Sequence, residues 1–80
     1  MRLKPGDCFK FYKPKHNVRL FGQITEIRLN KFYAFRVLGC NIPKLLGAKM
    51  IFLVDGKIKN YITKVKKEEV IEGLIKQKEI

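Results

Sequence analysis

The 80-residue chain has no serine and no tryptophan, one histidine (His16), two cysteines (Cys8 and Cys40) and seven acidic residues. Each scarcity removes a class of chemistry. Without serine there is no serine nucleophile, and His16 sits in the segment Lys13-Pro14-Lys15-His16-Asn17 with no acid beside it. Asp7 and Asp55 fall in turn sequences, where Asp commonly bonds to backbone. Glu26 is then the only acid inside an expected strand. A triad, a carboxylate pair and an HExxH arrangement are all absent. Zinc held by Cys8, His16 and Cys40 would lack a fourth ligand and matches no recognised spacing. The glycines are isolated, so there is no phosphate-cradling loop. The expectation is a protein that is not an enzyme and carries no catalytic residue, metal or cofactor.

Long apolar runs are also missing. The longest, Met50 to Val54, is five residues, against the roughly 20 needed to cross a bilayer. Met1 to Asp7 contains no apolar stretch of the kind that opens a secretory signal. These features predict a soluble, cytoplasmic protein whose two cysteines are free thiols.

What the chain has in excess is positive charge: 18 Lys and Arg give a net +11. Residues 1–67 hold sixteen bases and three acids, whereas residues 68–80 hold two bases and four acids. A cationic body thus carries a mildly anionic tail. A body so charged repels itself, which a polyanionic partner relieves. AT-rich coding, which favours Lys, Ile and Asn, is the bland explanation to weigh for part of the excess.

Eighty residues form one small domain, here 1–80, with a modest core. Pro5-Gly6-Asp7 is a turn signal. Cys8 to Tyr12 follows as a strand with Phe9 and Phe11 on one face. Val18 to Leu29 reads as a long strand. Val18, Leu20, Gly22 and Ile24 share one parity, and Ile27 and Leu29 take the other, which requires a bulge near Thr25-Glu26. Asn30-Lys31 is the expected turn into a strand at Phe32 to Leu38, with Tyr33, Phe35 and Val37 on one face. Residues 39–48 form an apolar loop with a short helical turn near Pro43 to Leu46. Met50 to Val54, an Asp55-Gly56 hairpin turn and Lys57 to Val65 complete the strands. Lys67 to Lys78 is a helix with Val70, Ile71, Leu74 and Ile75 as its apolar stripe. Glu68 and Glu69 in its first turn and Lys76 and Lys78 in its last suit the helix dipole. Gly73 costs helix stability and is expected to permit close packing.

Short, bent antiparallel strands followed by one helix predict a mainly β fold, a five-stranded antiparallel small barrel over 3–65 with a C-terminal α-helix over 67–78. The opening Lys4-Pro5-Gly6-Asp7 before an apolar strand, the long bent strand and the Asn30-Lys31 hairpin resemble SH3-like small barrels of the KOW and Tudor type. The resemblance covers most of residues 3–65, is one of architecture, and carries over no functional residue. An OB-like barrel is the alternative, with residues 42–48 as its inter-strand helix.

The basic surface is the feature that points to function. Lys57, Lys59 and Tyr61 alternate along one strand face, and Arg19 and Phe21 line the face opposite Leu20 and Ile24. Arg28 and Arg36 flank the hairpin, and Lys10, Lys13 and Lys15 extend the set towards the first loop. Cations on strands neutralise phosphates, and an exposed ring stacks on an unpaired base. The bland alternative is a solvated sheet face in which Lys blocks edge pairing, with Phe21 in the core and Tyr61 beneath the helix. Two functions follow. The first is a basic module binding DNA or RNA through its phosphates, with little sequence preference because Lys is a point charge rather than a bidentate reader. The second is a small regulator or inhibitor of a phage or mobile element, docking on a protein through the barrel edge or the 42–48 loop. Membrane binding is disfavoured by the acidic helix, and the chain is expected to be a monomer or a homodimer.

Overall fold

The fold is taken from a computed structural model that describes residues 3–53 and 60–78. It is mainly β. Five strands, β1 (Cys8–Lys13), β2 (Val18–Arg28), β3 (Phe32–Cys40), β4 (Lys49–Leu53) and β5 (Ile62–Val65), precede one helix, α1 (Lys67–Lys78). The strands form a single antiparallel sheet in the order β4-β3-β2-β1-β5. Among the described residues β4 and β5 are opposite edges and do not pair, so the sheet is not closed. The expected Asp55-Gly56 turn, and Lys57 and Lys59 after it, lie outside the described residues. The expected 42–48 helix of the OB-like alternative is a single 3-10 turn, Pro43–Leu45.

The chain enters through a type II turn at Lys4–Asp7. Gly6 takes φ 95°, and the Asp7 amide donates to the Lys4 carbonyl at 2.9 Å. The turn docks on β2, where the Gly6 amide donates to the Ile24 carbonyl at 2.7 Å. This places Leu3 in the core.

β2 bends where the parity of its apolar residues required it. Ile24 pairs with Phe35 and Glu26 with Ala34, so Thr25 is the extra residue of a bulge. Ahead of it Leu20, Gly22 and Ile24 face inward; beyond it Ile27 does. A second irregularity, between Phe21 and Gly22, leaves Leu38 extra on β3. The turn that follows is centred one residue earlier than expected. Leu29 and Asn30 both have φ 55°, and the Lys31 amide donates to the Arg28 carbonyl at 3.1 Å. Leu29 therefore leaves the inner face and is 78% exposed. Asn accepts positive φ readily, but Leu does so at a steric cost that nothing in the local sequence signals.

The sheet has a different core on each face. The inner face carries Phe9, Leu20, Ile24, Phe35, Val37, Cys40 and Ile62 with Leu3, and Phe9 is only 1% exposed. Phe9, Phe35 and Phe52 pack edge-on or tilted with centroids 5.1–5.7 Å apart. Ile42, Leu45 and Ala48 also pack there, so the apolar loop serves the core and leaves Leu46 exposed. The outer face is covered by α1 over a smaller cluster of Cys8, Val65 and Val70, with Phe21, Leu38 and Leu74 against it. Only part of the expected helix stripe is used: Ile71 and Ile75 are 50% and 51% exposed. The reason is the seat of Gly73, which rests on the Phe21 ring so closely that a Cβ there would lie 2.5 Å from it. That contact turns Val70 and Leu74 inward and Ile71 and Ile75 outward.

Candidate functional site

The register sets which bases share a face. Lys10 pairs with Phe21, and Tyr12 with Arg19. In an antiparallel pair, partners point to the same side. Lys10, Tyr12, Arg19 and Phe21 thus form a two-by-two block on the outer face. α1 crosses beside it, and the four side chains line a cleft with Leu20, Gly73 and Lys76, of about 380 Å³. That volume lies within the range of small-ligand sites. Gly73 has no side chain to fill the cleft, and the Phe21 ring, half-buried under the helix, forms part of its wall.

Among the described residues three cations line the cleft and no acid does. The ion pairs among the described residues lie elsewhere: Arg28 Nε to Glu26 Oε1 at 3.1 Å, and Lys64 Nζ to Asp7 Oδ2 at 3.4 Å. The Arg19 guanidinium lies 5.2 Å from the Tyr12 ring centroid, a cation–π stack that leaves Tyr12 40% exposed. Asn41 holds the base of this pair. Its Oδ1 accepts from the Arg19 amide at 3.0 Å, its amide donates to the Arg19 carbonyl at 3.2 Å, and its Nδ2 donates to the Asn17 carbonyl at 2.6 Å. The β1–β2 connection, with Asn17 at φ 51°, is thereby tied to the end of β3.

The other expected site residues are distributed around the sheet. Lys13 has the opposite parity to Lys10, and its Nζ lies 5.5 Å from the Tyr61 centroid. Tyr61 packs 6.1 Å from Phe11, a residue of the inner core, so it neither lies under the helix nor shares the cleft. Lys15 is exposed in the 3-10 turn Pro14–His16. Arg28, its charge reinforced by the hydrogen bond to Glu26, lines a second, open hollow with Ala34, Lys49, Met50 and Ile51. Arg36 is exposed and pairs with Lys49 in register. Of the expected set, the structure brings together Lys10, Arg19 and Phe21.

Tyr12, Lys76 and Asn41 were not expected. Alternation along β1 put Tyr12 on the face of Lys10, but its neighbour across the sheet depends on a register that only the fold supplies. Lys76 read as a charge complementing the helix dipole. Asn41 acts on Arg19 across 22 residues of sequence.

The reactive residues are dispersed. Cys8 is buried in the helix-side cluster and Cys40 in the inner core, both as free thiols, and burial raises the pKa of Cys8. His16 is exposed in the first loop. Among the described residues no three His, Cys, Asp or Glu side chains cluster as metal ligands, and no helix is long and apolar enough to cross a membrane. No family model matches this chain, and neither a curated protein nor a solved structure shows significant similarity to it.

Proposed function

We propose that this chain is a small, non-enzymatic nucleic-acid-binding module that grips phosphates with little sequence preference. The observation that carries the reading is the convergence of Lys10, Arg19 and Lys76, none of them in an ion pair among the described residues, on one cleft whose walls include Tyr12 and Phe21. Unpaired cations beside aromatic surface suit a phosphate backbone carrying bases. The net +11 charge adds long-range attraction. We further propose an SH3-like barrel as the scaffold, since the bulge at Thr25 bends β2 in the way small barrels need. Two buried free thiols suit a reducing compartment such as the cytoplasm.

The test is anisotropy of labelled mixed-sequence DNA and RNA, single- and double-stranded, titrated with the purified chain between about 50 and 200 mM salt. Binding that weakens steeply with salt, and by about tenfold or more in a Lys10→Ala/Arg19→Ala variant, supports the proposal. No binding to any of them at low salt ends it.

A second reading, a protein-docking module, is favoured by the β4 edge. Met50, Ile51 and Leu53 are exposed there, with Leu29 exposed at the tip of the neighbouring hairpin. Exposed apolar edge strands recruit partners by strand addition. The 42–48 loop is a weaker candidate, because Ile42 and Leu45 are occupied in the core. A protein partner that the wild-type chain retains and an Ile51→Lys variant releases would favour this reading.

A further inference from the structure

The cleft between the sheet and α1 has a shape as well as a charge. Its interior is apolar, built from the Phe21 ring and the bare backbone of Gly73, while Lys10, Arg19 and Lys76 supply the charge. A phosphate backbone alone needs only the cations. Intact duplex DNA or RNA offers phosphates on a convex surface with its bases stacked inside, so its bases could reach an apolar recess only by leaving the stack, at a cost of a few kcal/mol. An unpaired base meets the recess at no such cost. We propose, building on the nucleic-acid reading, that the cleft is a single-strand site that takes one unpaired base, with the adjoining phosphates held by Lys10, Arg19 and Lys76.

Three observations support that occupant. The volume of about 380 Å³ suits a ligand of nucleotide size. The Arg19 guanidinium lies 5.2 Å from the centroid of the exposed Tyr12 ring, so a cation and an aromatic surface on which a base can lie are already side by side. Asn41 fixes the backbone of Arg19 from both sides, through its amide and its carbonyl, so the point from which the Arg19 side chain projects is set before a ligand arrives. The chemistry recognised is a planar base on a phosphodiester strand, common to DNA and RNA.

The probes are labelled oligothymidine, oligouridine, an abasic strand of the same length and charge, and a duplex, each about ten nucleotides long. They are titrated against the whole chain and against Tyr12→Ala and Tyr12→Phe variants. Tyr12 is exposed enough for both variants to fold, which circular dichroism checks. Stacking one base is worth about tenfold in affinity. The expected result is that oligothymidine or oligouridine binds about tenfold more tightly than the abasic strand and the duplex. Tyr12→Ala removes that margin and Tyr12→Phe keeps it. With three phosphates held, affinity for the single strand falls about eighteenfold from 50 to 200 mM salt. Equal binding of the base-bearing and abasic strands, or a preference for the duplex, overturns the single-base site while the nucleic-acid reading stands. Absence of binding to all four probes at 50 mM salt overturns the nucleic-acid reading itself.

Discussion

The two faces of this sheet solve the same packing problem differently. The inner face interlocks large rings: Phe9, Phe35 and Phe52 meet one another, and Gly22 sits against two of them with no room for a Cβ. The outer face is covered by one helix over a handful of side chains, and the helix seats on Phe21 but leaves Lys10, Tyr12 and Arg19 exposed. A close-packed interior resists any change of volume. A partly covered face tolerates change and leaves a cleft. Stability in this protein is therefore concentrated on one side of the sheet, and the candidate interface on the other. That separation predicts which substitutions unfold the chain and which alter what it binds.

The largest effect is expected at Gly22. A Cβ there would lie 2.6 Å and 2.8 Å from two atoms of the Phe9 ring and 3.0 Å from the Phe35 ring. Both rings are buried and have nowhere to move. Gly22→Ala should cost about 3 kcal/mol, at the upper end of overpacking, seen as a lower urea midpoint with an unchanged slope. The fraction that remains folded should bind nucleic acid with wild-type affinity, because the cleft lies on the other face. A stability loss below about 1 kcal/mol would mean that the inner face is looser than the ring packing implies.

Gly73 is the outer-face counterpart, with the same geometry and a smaller expected cost. A Cβ there meets the Phe21 ring at 2.5 Å, but that ring borders a cleft and can give way. Gly73→Ala gains about 1 kcal/mol in helix propensity and loses about 2 kcal/mol in forced repacking, a net loss of about 1 kcal/mol. In a Phe21→Leu background the clash is gone, so the same substitution should become neutral or stabilising. A double-mutant cycle measures that change of sign. If Gly73→Ala costs the same in both backgrounds, the Gly73–Phe21 contact does not set the seat of the helix.

Much of this arrangement is legible in the sequence, and what is not follows from contacts between distant residues. Periodicity alone places α1 at its observed bounds, and the parity change between Ile24 and Ile27 locates the bulge. Alternation also assigns Phe9 and Phe11 inward, and Lys10, Arg19 and Phe21 outward. The helix stripe is misread by one flank, because which of Val70, Ile71, Leu74 and Ile75 are buried is decided by Gly73 meeting Phe21, 52 residues earlier. The alternative weighed for Tyr61, a place beneath the helix, fails for a similar reason: its ring packs against Phe11 of β1. The cleft needs register, helix seat and the Asn41 tie together, and no local pattern encodes their sum.

Leu29 sharpens the comparison from outside both cores. It holds φ 55° while largely exposed, so its side chain gains little from burial and its backbone is strained. Leu29→Asn should stabilise the chain by about 0.5 kcal/mol, since Asn accepts this conformation. Nucleic-acid binding should be unchanged, as the hairpin tip does not line the cleft. Under the protein-docking reading the same substitution should weaken partner binding, because it removes an apolar side chain beside the β4 edge. One variant therefore separates the two functional readings by opposite outcomes.

The smallest effect concerns how the inner face is closed at its start. Asp7 accepts a hydrogen bond from the Lys4 amide at 2.9 Å and faces Lys64 at 3.4 Å, which ties the turn carrying Leu3 to β5. The Lys4 amide is the main cause of a lowered Asp7 pKa, Lys64 assists, and partial burial opposes both. A carboxylate with a lowered folded pKa contributes stability that is complete above its unfolded pKa, near 4, and is lost as pH falls through the lower folded value. Asp7→Asn removes that contribution. Urea midpoints of wild type and variant should therefore differ by a constant amount from pH 5 to 8 and converge below pH 4. Because the Lys64 side chain is mostly exposed and the bridge lies near the surface, the difference should be small and should shrink in high salt. Convergence at low pH with no change in the cleft's affinity at neutral pH would confirm that this turn serves the inner face alone. A binding defect in Asp7→Asn at neutral pH would show that the two faces are coupled through β1, the strand they share.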